Sequence, residues 1–84
     1  MNSIKNSYGI DKAKLTQLLF KTEGEMYWKE LEDKNFNLVI EKEQHVNKYK
    51  VYLTALEATQ VPDYIVEKYV ALKNGLIKFG ALIK

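Results

Sequence analysis

Residues 22–34, Thr22-Glu23-Gly24-Glu25-Met26-Tyr27-Trp28-Lys29-Glu30-Leu31-Glu32-Asp33-Lys34, decide how the chain folds, because they admit two incompatible readings. Thr22 followed three residues later by Glu25 has capping-box spacing, a hydroxyl and a carboxylate that satisfy each other's backbone amides at the start of a helix. As a helix, the segment places Tyr27, Trp28 and Leu31 on one side. Its acids meet the positive end of the dipole, and Lys34-Asn35 supplies a stop. As a strand, 26–31 alternates poorly, since Trp28 shares a face with Glu30 and Leu31 with Lys29. The helix is therefore the preferred reading.

Downstream the period changes to two. Phe36, Leu38 and Ile40 alternate with Asn37, Val39 and Glu41; after Gln44-His45-Val46-Asn47, the residues Tyr49, Val51, Leu53 and Ala55 alternate with Lys48, Lys50, Tyr52 and Thr54. This pattern predicts a β-hairpin with its loop at 44–47. The pairing sets Glu43 opposite Lys48, Glu41 opposite Lys50, Ile40 opposite Val51 and Leu38 opposite Leu53. Charge then meets charge on one face and apolar meets apolar on the other. Beyond it, Pro62 and Asp63 suit the first turn of a helix. At about 100° per residue, Ile65, Tyr69, Leu72, Leu76, Phe79 and Ile83 follow one line, with Val66, Val70 and Ile77 on a second apolar flank. Asn74-Gly75 is a possible break.

Upstream, Asp11 is a good N-cap, and Ile10 with Leu15 has hydrophobic-staple spacing, so a helix is expected from there to about Thr22. Residues 1–9 read as a flexible lead-in and 10–84 as one domain. The expected fold is α+β: two short N-terminal helices, an antiparallel β-hairpin and a long C-terminal helix.

Composition narrows function. Eighty-four residues, 46% apolar and without Cys, make one small domain with no disulfide or thiolate site to staple a marginal core. All 13 basic residues are Lys, and net charge is +2, with an acidic middle between two mildly basic ends. The start, MNSIKNSYG, lacks the apolar core of a signal peptide, so a cytoplasmic protein without a membrane partner is expected. The sole His45 falls at a hairpin tip, and Ser occurs only at 3 and 7, so a hydrolytic triad is not available. No glycine-rich phosphate loop or calcium loop is present. No catalytic residue, cofactor, metal site or small-molecule substrate is expected.

Two helices around a Gly-containing turn, followed by a hairpin, resemble the winged-helix class over residues 11–56, which implies a DNA-binding regulator. The would-be recognition helix carries Glu25, Glu30, Glu32 and Asp33 against Lys29 and Lys34, and Lys48 and Lys50 have acidic partners, so nucleic acid is disfavoured. The preferred expectation is a non-enzymatic interaction or regulatory protein that meets another protein through Val39, Lys48, Lys50 and Tyr52. It is expected to homodimerise through Ile65, Val66, Tyr69, Val70, Leu72, Leu76, Ile77 and Phe79, because two apolar faces on one helix exceed what a small core covers.

Overall fold

The hairpin is the centre of the molecule. In the structure, a computed structural model that describes residues 7–56 and 60–84, β4 (Asp33–Lys42) pairs with β5 (Tyr49–Ala55) in the register that the sequence pattern selects. Ile40 lies opposite Val51, Leu38 opposite Leu53, Val39 opposite Tyr52 and Glu41 opposite Lys50. The ladder closes with the Glu43 amide donating to the Lys48 carbonyl at 2.9 Å.

Around this pair the architecture differs from the expected one. The strands β1 (Ser7–Ile10), β2 (Lys21–Glu23), β3 (Met26–Leu31) and β6 (Leu82–Ile83) extend it into a six-stranded antiparallel sheet, ordered β2-β3-β4-β5-β1-β6 and curled into a half-barrel. A short helix α1 (Lys12–Gln17) and one long helix α2 (Asp63–Phe79) complete it. The second N-terminal helix does not exist. Its residues form the β2–β3 hairpin, with Thr22 opposite Tyr27 and Glu23 opposite Met26. Gly24, at φ +62°, occupies the first position of a two-residue turn, where hairpins favour glycine. The alternation that argued against a strand is real. Trp28 and Glu30 share the outer face, whereas Lys29 points inward and donates to the Leu18 carbonyl at 3.0 Å, its ammonium 5.9 Å from the Phe20 ring centre. A lysine on the inner face is thus accommodated at the end of α1. The winged-helix resemblance falls with the missing helix.

The first helix is also shorter than expected. Asp11 caps it, its carboxylate accepting from the Lys14 amide, but the chain turns at Leu18–Leu19 instead of continuing to Thr22. The Leu19 amide donates to the Thr16 carbonyl and the Phe20 amide to the Leu15 carbonyl, the two bonds of a Schellman stop. That stop brings buried Phe20 back onto Leu15 and forces Leu19 to φ +66° while leaving its side chain 78% exposed. Helix α2 ends through the same pair of bonds, but with Gly80 at φ +88° in the left-handed position. A left-handed leucine costs about 1–2 kcal/mol that glycine avoids. Leu19→Gly is therefore expected to raise the thermal midpoint slightly, by about 0.5–1 kcal/mol of stability once glycine's larger chain entropy is counted. A drop on calorimetric melting contradicts that.

Residues 7–9, read as lead-in, belong to β1, which bridges β5 and β6 through Tyr8 opposite Tyr49 and Ile10 opposite Leu82. Residues 1–6 of that lead-in lie outside the described residues. Helix α2 passes through Asn74-Gly75 without a break, and Ile83, expected on its apolar line, sits in β6 because Gly80 ends the helix first. The core fills the concave side. Leu15, Leu38, Ile40, Ile65, Leu76 and Leu82 are its fully buried large side chains, surrounded by Tyr8, Phe20, Tyr27, Leu31, Phe36, Tyr49 and Val51.

Candidate interaction surface

The sheet divides the expected self-association residues into two groups. Ile65 and Leu76 are fully buried in the chain's own core, and Tyr69, Leu72 and Ile77 pack against it. Ile65 and Leu76 are not available to a second molecule, because a six-stranded sheet covers the face that a lone hairpin was too small to cover, and Tyr69, Leu72 and Ile77 are partly covered by it. Val66, Val70 and Phe79 remain exposed. Phe79 is partly occupied by Lys14, whose ammonium sits 5.3 Å from the ring centre and donates to the Phe79 carbonyl at 3.0 Å.

Val66 and Val70 are half exposed. At about 100° per residue, Val66, Val70, Lys73 and Ile77 share one flank of α2. Lys73 lies 5.6 Å from the Tyr8 ring centre, and the neighbouring Tyr69 hydroxyl donates to the Val51 carbonyl at 3.3 Å, so this flank faces β1 and β5. The opposite flank turns toward the β3–β4 connection through the Lys68–Glu32 ion pair.

On that same side lies β5, between β4 and β1 in the sheet. The bonds Glu43 to Lys48 and Leu56 to Asn35 fix which residue pairs exchange hydrogen bonds across β4 and β5. Antiparallel alternation then turns the peptide groups of Lys50, Tyr52 and Thr54 toward β4, and those of Tyr49, Val51, Leu53 and Ala55 away from it. Tyr49 is met by Tyr8 of β1, and Lys50 lies opposite Ser7. Among the described residues no strand lies beside Val51–Ala55. Val51 is buried, its carbonyl is already met by the Tyr69 hydroxyl, and the residues that precede Ser7 lie outside the described ones. The exposed apolar surface on this side is therefore the flank of α2, with Val66 41% and Val70 45% exposed.

The expected partner site on the outer face behaves differently. Val39 is buried there, outside the concave core, in a row with Trp28 on β3 and Tyr52 on β5. The Tyr52 hydroxyl donates to Glu41 at 2.8 Å, Lys50 pairs with Glu41 at 3.9 Å, and the Lys50 ammonium stands 5.6 Å from the Tyr52 ring centre. Trp28, Val39 and Tyr52 thus cover one another, and the charges around them are mutually satisfied. Of the four residues Val39, Lys48, Lys50 and Tyr52, only Lys48 is left without such engagement, exposed at the hairpin end beside His45.

Three phenols respond to this packing. Burial pushes the pKa of Tyr49, Tyr52 and Tyr69 above the ordinary 10.0, with hydrogen bonds to Glu25 and Glu41 reinforcing it for Tyr49 and Tyr52. Above about pH 10 the unfolded phenols lose their protons before the folded ones, so the unfolded state binds fewer protons and stability falls as pH rises. The thermal midpoint is expected to hold steady up to about pH 9.5 and to decline beyond about pH 10. An unchanged midpoint at pH 11 contradicts the buried-phenol geometry.

Among the described residues no group of three or more His, Asp or Glu is placed to hold a metal ion, and no helix is long and apolar enough to cross a membrane. Compared with known proteins, the chain matches no family model, no curated protein and no solved structure to a significant degree. Its geometry is what remains to argue from. The sequence reading placed Val51 and Leu53 on the core face, where they lie. The surplus of apolar residues on α2 was the signal for the exposed flank at Val66 and Val70.

Proposed function

We propose that this chain is a non-enzymatic protein-interaction module that self-associates by packing the Val66–Val70 flanks of two α2 helices together. The observation that carries this reading is the apolar flank of α2 that the sheet leaves uncovered, with Val66 41% and Val70 45% exposed. A two-fold axis beside α2 sets each flank against its copy, and burial of the valines supplies the apolar contact.

The test is sedimentation velocity from low to high micromolar concentration, with the double variant Val66→Lys, Val70→Lys alongside. The wild type is expected to shift from monomer to dimer. The variant should stay monomeric with a thermal midpoint close to the monomer's, because both positions are already half exposed and a lysine there remains solvated. A wild type that is monomeric throughout overturns the reading.

A further inference from the structure

At one mouth of the half-barrel lies an open cleft of about 340 Å³. Its wall is apolar, made by Ile10, Ile83 and the backbone at Gly9, and its polar rim comes from Lys12, Glu25, Lys42, Asn47 and Tyr49. Four strands, the start of α1 and two turns bring these residues together. Barrel mouths are common ligand sites, and this volume is within the range of small-molecule pockets.

Two features of the cleft define what it can hold. The first is its charges. Among the described residues, Lys12, Lys42 and Glu25 form no ion pair, although all three line one cleft, and the Lys42 ammonium donates to the Glu43 carbonyl at 3.4 Å. Glu25 is held in place, one carboxylate oxygen accepting from the Tyr49 hydroxyl at 3.1 Å and its backbone carbonyl accepting from the Lys42 amide at 3.2 Å. The second feature is Gly9. It stands inside a strand, where glycine weakens pairing, at a φ open to any residue. A Cβ there meets nothing closer than Ile83 Cβ at 3.6 Å, an ordinary contact. Packing therefore does not require the glycine, and its lack of a side chain leaves the cleft floor open.

Two cations and one anion around a partly apolar wall complement a small molecule with the reverse arrangement. We propose that this cleft binds an amino dicarboxylate, its two carboxylates meeting Lys12 and Lys42 and its ammonium meeting Glu25. Charge-assisted hydrogen bonds of this kind are short and about twice as strong as neutral ones, and the apolar wall accommodates the connecting methylenes. The site does not rest on self-association, and the two readings fail separately.

The experiment is an amide chemical-shift titration of the full chain with L-glutamate, using glutarate as a probe of equal length without the ammonium. Saturable shifts are expected at Gly9, Ile10, Glu25, Asn47 and Tyr49, with glutarate binding at least about tenfold more weakly, the worth of one charge-assisted contact. Lys42→Gln and Glu25→Gln should each weaken L-glutamate by a similar factor, and Gly9→Leu should abolish the shifts by filling the floor. If Gly9→Leu does not fold, the two exposed-rim variants decide. Shifts that never saturate, or that are the same in wild type and both rim variants, overturn the site. Equal responses to L-glutamate and glutarate overturn the assignment of the ammonium to Glu25.

Discussion

Leu76→Asp is expected to leave the chain unfolded at every concentration and not to yield a folded monomer. Leu76 is 1% exposed and packs among the core side chains between α2 and the concave face of the sheet. Its backbone carbonyl also accepts from the Gly80 and Ala81 amides in the stop that hands the chain to β6. Removing the leucine side chain costs about 2–5 kcal/mol, and burying an unpaired carboxylate adds several more. A domain of this size has about 5 kcal/mol to lose. Far-ultraviolet circular dichroism and amide dispersion should show a disordered chain. A folded Leu76→Asp monomer would place Leu76 at a subunit seam and contradict its burial within one chain.

The second large effect separates the two faces of the central hairpin. Ile40 is 0% exposed on β4, opposite Val51, whereas Lys50 lies on the outer face in a half-exposed pair with Glu41. Ile40→Ala is expected to cost about 2–5 kcal/mol, and Lys50→Ala no more than about 1 kcal/mol. Leu53→Ala should fall between them, because Leu53 sits partly exposed at the edge of β5 and leaves a smaller cavity. Tyr52→Ala should also destabilise measurably, since it uncovers Val39 and removes the bond to Glu41. The self-covering row from Trp28 to Tyr52 is the reason. Chemical denaturation of the four variants checks the order. Equal losses for Ile40→Ala and Lys50→Ala would contradict the assignment of faces.

The β4–β5 register was legible because its two faces differ so clearly in chemistry that a one-residue slip opposes glutamates to apolar side chains. The long helix was legible for the same reason, since a sustained 3.6 period needs no tertiary information. Residues 22–34 misled because both faces of β3 are mixed. Lys29 reaches a helix-end carbonyl on the inner side, and Glu30 sits beside Trp28 on the outer. Neither arrangement can be seen before α1 and the neighbouring strands are placed. The capping-box spacing at Thr22 and Glu25 is an accident of the turn, and Gly24 between them was the better guide. Strands β1 and β6 are too short to carry a period at all. Helix α1 stops early at a leucine where glycine was the expected signal. The exposed flank of α2 was legible in its excess of apolar residues, but which of them the chain's own core covers depends on the sheet being in place.

The methyl chemical shifts of Val66 and Val70, followed as the protein is diluted, test self-association through α2 most directly. Both side chains are half exposed within one chain, so a second copy packed on the flank changes their surroundings. Shifts that move with concentration, in step with the loss of dimer in sedimentation, are the expected result. Methyl shifts that are the same at every concentration would show that no second copy sits on the flank and would contradict the proposed assembly.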